Sequence, residues 1–147
     1  HWKIIKANYS KAPFFYELAN EIEEIYANEK FIYLSKLNRR FIELICDYLN
    51  IKTKIKDSYE FKLRNDKTER LIGICKDLNA NEYISGPSGK EYLKIDEFKN
   101  NDIKLSFADY SNYEKYKQQW NNFEDNLSIL DLIFNCGKDC YKYMKFI

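Results

Sequence analysis

Histidine is almost missing from this chain of 147 residues: there is one, His1, at the extreme end. The body of the chain can therefore hold no Ser-His-Asp nucleophile set. Cysteine is sparse, and Cys46, Cys75, Cys136 and Cys140 form no CxxC pair. A zinc site is not expected from that pattern. Cys46 and Cys75 fall on apolar helix faces, where a thiol behaves as a small hydrophobe, so reduced thiols in a cytoplasmic protein are the simplest reading. No apolar run approaches the ~20 residues of a membrane span. Neither charge sign dominates: 24 Lys and Arg stand against 23 Asp and Glu, for a net +1. That balance argues against bulk nucleic-acid binding, which needs a basic surplus. The one methionine is Met144, so a piece of a longer protein is expected.

Aromatic residues are abundant, with 13 tyrosines and 10 phenylalanines. Many must fill a core, and the tyrosines also supply hydroxyls for a polar site. The length suits one domain over residues 1–147, with a core that needs no metal or disulfide.

Apolar spacing predicts mostly helices. Trp2, Ile5 and Tyr9 share one side of a first helix. Phe15, Leu18, Ile22 and Ile25 mark a second, with Pro13 in its first turn. Leu34, Leu37, Phe41, Leu44 and Tyr48 mark a third, over Phe31 to Leu49, stopped by Asn50. Ile51, Thr53 and Ile55 alternate with lysines, which predicts a half-buried strand and a solvated lysine face. Asp66 and Glu69 have capping-box spacing before a helix through Leu71, Ile74, Cys75 and Leu78, closed by Asn79. Tyr83–Ile84 and Ile103 to Phe107 read as strands around a short helix at Ile95 to Asn100. One intervening helix implies a parallel pair with a right-handed crossover. Tyr110 to Asn126 shows little period and predicts an irregular loop with a helical turn. Leu127 to Asn135 is apolar nearly all round, a buried helix ended by Gly137. The last ten residues predict one more helix.

Two glycines and one proline gather in EYISGPSGKEYL, Glu82 to Leu93. The glycine spacing fits neither the P-loop nor the dinucleotide fingerprint. Two readings stay open. Ser88 caps a short helix with Glu91 reaching back, in a plain turn. Alternatively, the turn's N–H groups meet an anion beyond a strand's carboxyl end. Asp131, inside LSILDLIFN, is a carboxylate among apolar neighbours and needs partners. It can orient a ligand or a catalytic group, or it can bond backbone amides or Arg70. Tyr116, Gln118 and Trp120 decorate the irregular loop and suit either sugar or base contacts or ordinary packing.

The chain resembles the WbqC-like protein family of bacterial polysaccharide gene clusters. The resemblance lies in IIKANYSKAPFF, RLIGICKDLNANEYISGPSGKEYL and NLSILDLIFNCG together, along nearly the whole chain. It implies an α/β fold with a small, mainly parallel Rossmann-like sheet flanked by helices, as part of a larger α/β domain. Members begin with an upstream histidine-containing motif that this sequence lacks. The implied role is in O-antigen and related surface-sugar synthesis, as a cytoplasmic transferase of an amino-acid or acyl group. The substrate would be a nucleotide or a nucleotide-linked amino sugar; no cofactor, transferred group or oligomeric state is specified. Ser85, Gly86, Ser88, Gly89 and Lys90 would meet the anionic part of such a ligand. Tyr92, Tyr116 and Gln118 would line its pocket, and Arg70, Asp131 and Asn135 would support it. The alternative is a non-catalytic binding or scaffold module in a biosynthetic complex.

Overall fold

A computed structural model of the chain describes residues 1–62, 64–120 and 122–145. In chain order its elements are α1 (Trp2–Tyr9), α2 (Ala19–Ala27), α3 (Leu34–Tyr48), α4 (Lys67–Asp77), β1 (Glu82–Ser85), α5 (Ile95–Lys99), β2 (Lys104–Phe107) and α6 (Ile129–Cys136). Short 3-10 segments sit at Phe15–Glu17, Ser58–Glu60, Pro87–Glu91 and Gly137–Tyr143. The chain forms two compact units, residues 54–112 and the flanking segments that enclose them in sequence.

The flanking segments make a helical unit. Its core is Phe15, Leu18, Ile22, Ile25, Leu44, Ile133 and Phe134, all buried. Burying each such side chain contributes roughly 1.5–3 kcal/mol. Trp2 stacks on Phe15 with ring centroids 5.9 Å apart, and Phe15 meets Phe134 at 5.1 Å. The Phe14 N–H also donates to the Phe134 carbonyl at 3.0 Å. The predicted start at Pro13 gives a turn instead. Phe15 belongs to a 3-10 segment, and α2 begins only at Ala19.

Helix ends follow the sequence signals. Asn50 closes α3 with φ 56°, and the Ile51 N–H bonds the Cys46 carbonyl at 2.8 Å. Asn79 does the same for α4 at φ 52°, with Ala80 N–H on the Cys75 carbonyl. An asparagine tolerates this left-handed position better than most residues do. Asp66 caps α4 by accepting from the Thr68 and Glu69 N–H groups. Gly137 ends α6 at φ 56°, and a Cβ there would lie 2.6 Å from the Phe14 ring. Both the dihedral and the close ring require glycine.

The second unit holds the sheet, which has two strands. β1 and β2 pair in parallel with Glu82 opposite Lys104 and Ser85 opposite Phe107. A two-stranded sheet is marginal alone. Here Ile72 and Cys75 of α4, Phe98 of α5, Leu93 and Ile103 form a buried cluster that includes the half-buried Tyr83 and Leu105. Tyr83 stacks on Phe98 at 5.6 Å. The parallel pair is thus as expected.

Three readings need correction. Residues 51–56 form no strand: Ile51 and Ile55 are half-buried as the alternation implies, but Thr53 is exposed. Ser88 is not a cap. It lies inside the 3-10 segment, whose N-cap position is Gly86 with no side-chain bond. The closing helix is a 3-10 segment to Tyr143, and the last two residues of that predicted helix lie outside the described residues.

Candidate functional site

A densely bonded polar group is Asp131, 3% exposed on the first turn of α6. Ser128 caps that helix through the Leu130 N–H. The cap fixes the start of α6, and the apolar sequence turns this face inward. Asp131 Oδ2 accepts from the Tyr116 hydroxyl at 2.5 Å and from Gln118 Nε2 at 3.0 Å. Asn135 Nδ2 approaches Oδ1 at 3.3 Å and the Asp131 carbonyl at 2.8 Å. Tyr9 joins the cluster from the end of α1. Its pKa is pushed up to about 12, first by burial, then by the Asp131 charge and a hydrogen bond to it. The Tyr116 pKa is raised further by the same causes, burial first and then its bond to Asp131.

Gln118 works in both directions. Its Nε2 also donates to the Glu124 carbonyl, while its Oε1 accepts the Glu124 N–H at 2.8 Å. Tyr116 packs edge-on against Phe123 at 5.4 Å and Tyr143 at 5.5 Å. The irregular segment is therefore held to α6 through one carboxylate. That carboxylate is answered by the chain's own donors, so it acts as an anchor for the loop. Burial chiefly, with the Asp131 charge, pushes up the pKa of the Cys136 thiol, the opposite direction from an activated thiolate.

The glycine turn lies in the sheet unit. Ser85 is buried at the end of β1. A Cβ on Gly89 would lie 2.2 Å from its Oγ and 3.1 Å from Leu93 Cδ1. Gly89 is thus a packing glycine that lets the turn close on the strand. Its N–H bonds the Gly86 carbonyl at 3.0 Å, and its carbonyl accepts from Tyr92 and Leu93. The outward side of the turn carries Gly86, Ser88, Lys90 and Tyr92, all exposed. Lys90 Nζ stands 5.5 Å from the Phe107 ring, and Lys67 Nζ stands 5.0 Å from the Tyr92 ring. Arg70 Nε donates to the Arg64 carbonyl at 2.9 Å, with Nη2 near Asn65 O.

The residues expected around one ligand thus divide. Ser85 to Tyr92 and Arg70 belong to the sheet unit; Tyr116, Gln118, Asp131 and Asn135 belong to the helical unit. Sequence reasoning assigned Tyr9 to a helix face and missed its place at the carboxylate. The only signal was its half-buried position at the end of an amphipathic helix. Among the described residues, no three His, Cys, Asp or Glu side chains gather to hold a metal ion. No helix among them is long and apolar enough to cross a membrane.

The model of the WbqC-like protein family matches residues 1–143, and the chain belongs to that family. It is 41% identical over 146 residues to the uncharacterized protein Rv1507c of Mycobacterium tuberculosis, covering 99% of this chain and 63% of that protein. It is 27% identical over 106 residues to a poly(glycerol-phosphate) alpha-glucosyltransferase of Bacillus subtilis, covering 72% of this chain and 14% of that protein. The chain thus spans less than two thirds of the length of these relatives. No solved structure matches it.

Proposed function

We propose that the chain works in bacterial surface-polysaccharide biosynthesis, O-antigen synthesis included, within a cytoplasmic small-molecule transferase acting on a nucleotide or a nucleotide-linked amino sugar. Family membership and the likeness to a protein named as a glucosyltransferase support a biosynthetic role. One structural observation carries the placement of the ligand. Ser85 and Phe107 end the two parallel strands and are register partners, and Lys90 reaches over the Phe107 ring. A cation therefore stands at the carboxyl ends of both strands. Open α/β sheets take their ligands at that edge, and in this reading the pair is part of a Rossmann-like sheet. Lys90, Ser88 and the Gly86 backbone would meet the phosphates, with Tyr92 beside them.

A second reading is a non-catalytic binding module. The glucosyltransferase likeness occupies a small part of a much longer protein, and the Asp131 carboxylate is filled by its own chain. Calorimetric titration of a full-length family member against nucleotides and nucleotide-sugars separates the readings. Heat with turnover supports the transferase, and heat without turnover in the presence of acceptor sugars supports the module. No heat at millimolar ligand removes the nucleotide proposal.

A further inference from the structure

The sheet unit carries a second polar feature, lined by none of the residues of the glycine turn. Helix α4 presents Glu69, Ile72, Gly73 and Lys76 at helical spacing on one face. The end of α5 and the turn after it bring Glu97, Asn100 and Asn101 opposite. Arg64 completes a hollow of about 390 Å³ lined by these side chains and floored by the buried Ile72. That volume falls in the range of small-molecule sites, roughly 300–1,000 Å³.

The arginine is placed by a missing side chain. A Cβ on Gly73 would lie 2.0 Å from Arg64 Nη1 and 3.1 Å from Cζ. The guanidinium thus lies in the notch that this glycine leaves in α4. Its Nη1 donates to the Glu69 carbonyl at 3.3 Å. No other bond of the guanidinium is seen among the described residues, which leaves Nε and Nη2 for a planar or tetrahedral anion. Lys76 adds a second cation in the same hollow. Glu97 is held by Lys94 Nζ at 2.9 Å, which offsets its charge. Asn101 Nδ2 is tied to the Glu97 carbonyl at 2.7 Å, leaving its side-chain oxygen as an acceptor. Glu69, Asn100 and Asn101 together offer acceptors and donors of the kind that hydroxyl groups satisfy.

We propose that this hollow between α4 and α5 binds a phosphorylated sugar, with the phosphate on Arg64 and Lys76 and the hydroxyls on Glu69, Asn100 and Asn101. Glu69 in the lining disfavours a bare anion and favours a ligand that brings hydroxyl donors with its phosphate. The site is separate from the Ser85–Tyr92 turn and rests on no part of the transfer reading.

The test is a titration of the full chain with glucose 1-phosphate, and in parallel with inorganic phosphate, followed by backbone amide shifts. Saturable shifts at Lys76, Asn100 and Asn101 are expected, with weaker binding of inorganic phosphate. A hydrogen bond to a charged group contributes about 1.5–3 kcal/mol, so Arg64→Ala should raise Kd about tenfold or more. Gly73→Ala keeps the cation but displaces the fork, and should weaken binding as well. Lys90→Ala should leave this Kd unchanged. Should Gly73→Ala fail to fold, Arg64→Gln decides alone, since that side chain is exposed. Shifts confined to the Gly86–Tyr92 turn, an unchanged Kd in both Arg64 variants, equal affinity for inorganic phosphate, or no saturable shift at millimolar sugar phosphate would each overturn the proposal.

Discussion

The Tyr116 hydroxyl donates to Asp131 Oδ2 at 2.5 Å, and this bond joins an irregular loop to a buried helix fifteen residues away. Gln118 donates to the same oxygen. Tyr116→Phe removes one donor from Oδ2 and leaves Gln118 on it, so the buried carboxylate loses part of its bonding. The expected loss is about 1.5–3 kcal/mol of stability in urea unfolding, the range for a hydrogen bond to a charged group. Tyr116→Phe with Gln118→Leu should cost something other than the sum of the two, because both act on one oxygen. Additive effects, or no effect of Tyr116→Phe, would show that the loop is not held through Asp131.

The same cluster sets a response to alkaline pH. Tyr9 is raised from 10.0 to about 12, and Tyr116 is raised too. Each phenol holds its proton more tightly folded than unfolded. For Tyr9 the linked stability is complete below pH 10 and is lost as pH climbs through about 12. Asp131→Asn should lower both values, yet keep Tyr9 above 10, because burial is its largest cause. Ring carbon shifts in NMR distinguish Tyr9 and Tyr116 from the other tyrosines. A Tyr9 that titrates like a free tyrosine in the native protein would contradict the arrangement.

The contrast between α3 and Asp131 shows what the sequence could reveal. The α3 pattern is local, with Leu37, Phe41 and Leu44 repeating at three and four, and the helix stands as expected. Asp66, Asn79 and Gly137 were legible for the same reason, since caps and stops depend on a few adjacent residues. Ile51 to Lys56 is no strand although it alternates, because alternation records which side chains are apolar and does not by itself make a ladder of backbone bonds. The role of Asp131 was legible only as a need for partners. Its donors Tyr116 and Gln118 sit in a segment without period, so no spacing rule could match them to α6. Arg64 was equally hidden, because a notch at Gly73 exists only once α4 is formed and the preceding chain folds back on it.

Gly89 offers a direct check on the turn. Gly89→Ala places a methyl 2.2 Å from Ser85 Oγ. Overpacking of this kind typically costs about 1–3 kcal/mol. Adding Ser85→Ala removes the nearest atom but leaves the Ser85 Cβ and Leu93 Cδ1 each 3.1 Å away. The double variant should therefore recover part of the loss and not all of it. Thermal unfolding of the two singles and the double gives the coupling. No recovery would mean that the strain lies elsewhere in the turn.

Lys90 decides whether the edge of the sheet binds anything. Its ammonium stands 5.5 Å from the Phe107 ring at an exposed site, where such a contact contributes about 0.5–1 kcal/mol. Lys90→Ala should therefore lower stability by no more than that amount. If the turn takes a phosphate, the same change should weaken nucleotide binding about tenfold or more, by loss of a charge-assisted bond. The two measurements separate the roles. A large fall in melting temperature would make Lys90 a structural cation over the ring. A small fall with unchanged binding would leave the turn as a corner that closes the strand on its own serine. A small fall with weakened binding would place the ligand at the carboxyl ends of β1 and β2, because loss of the weak contact over the Phe107 ring cannot account for a tenfold change in binding.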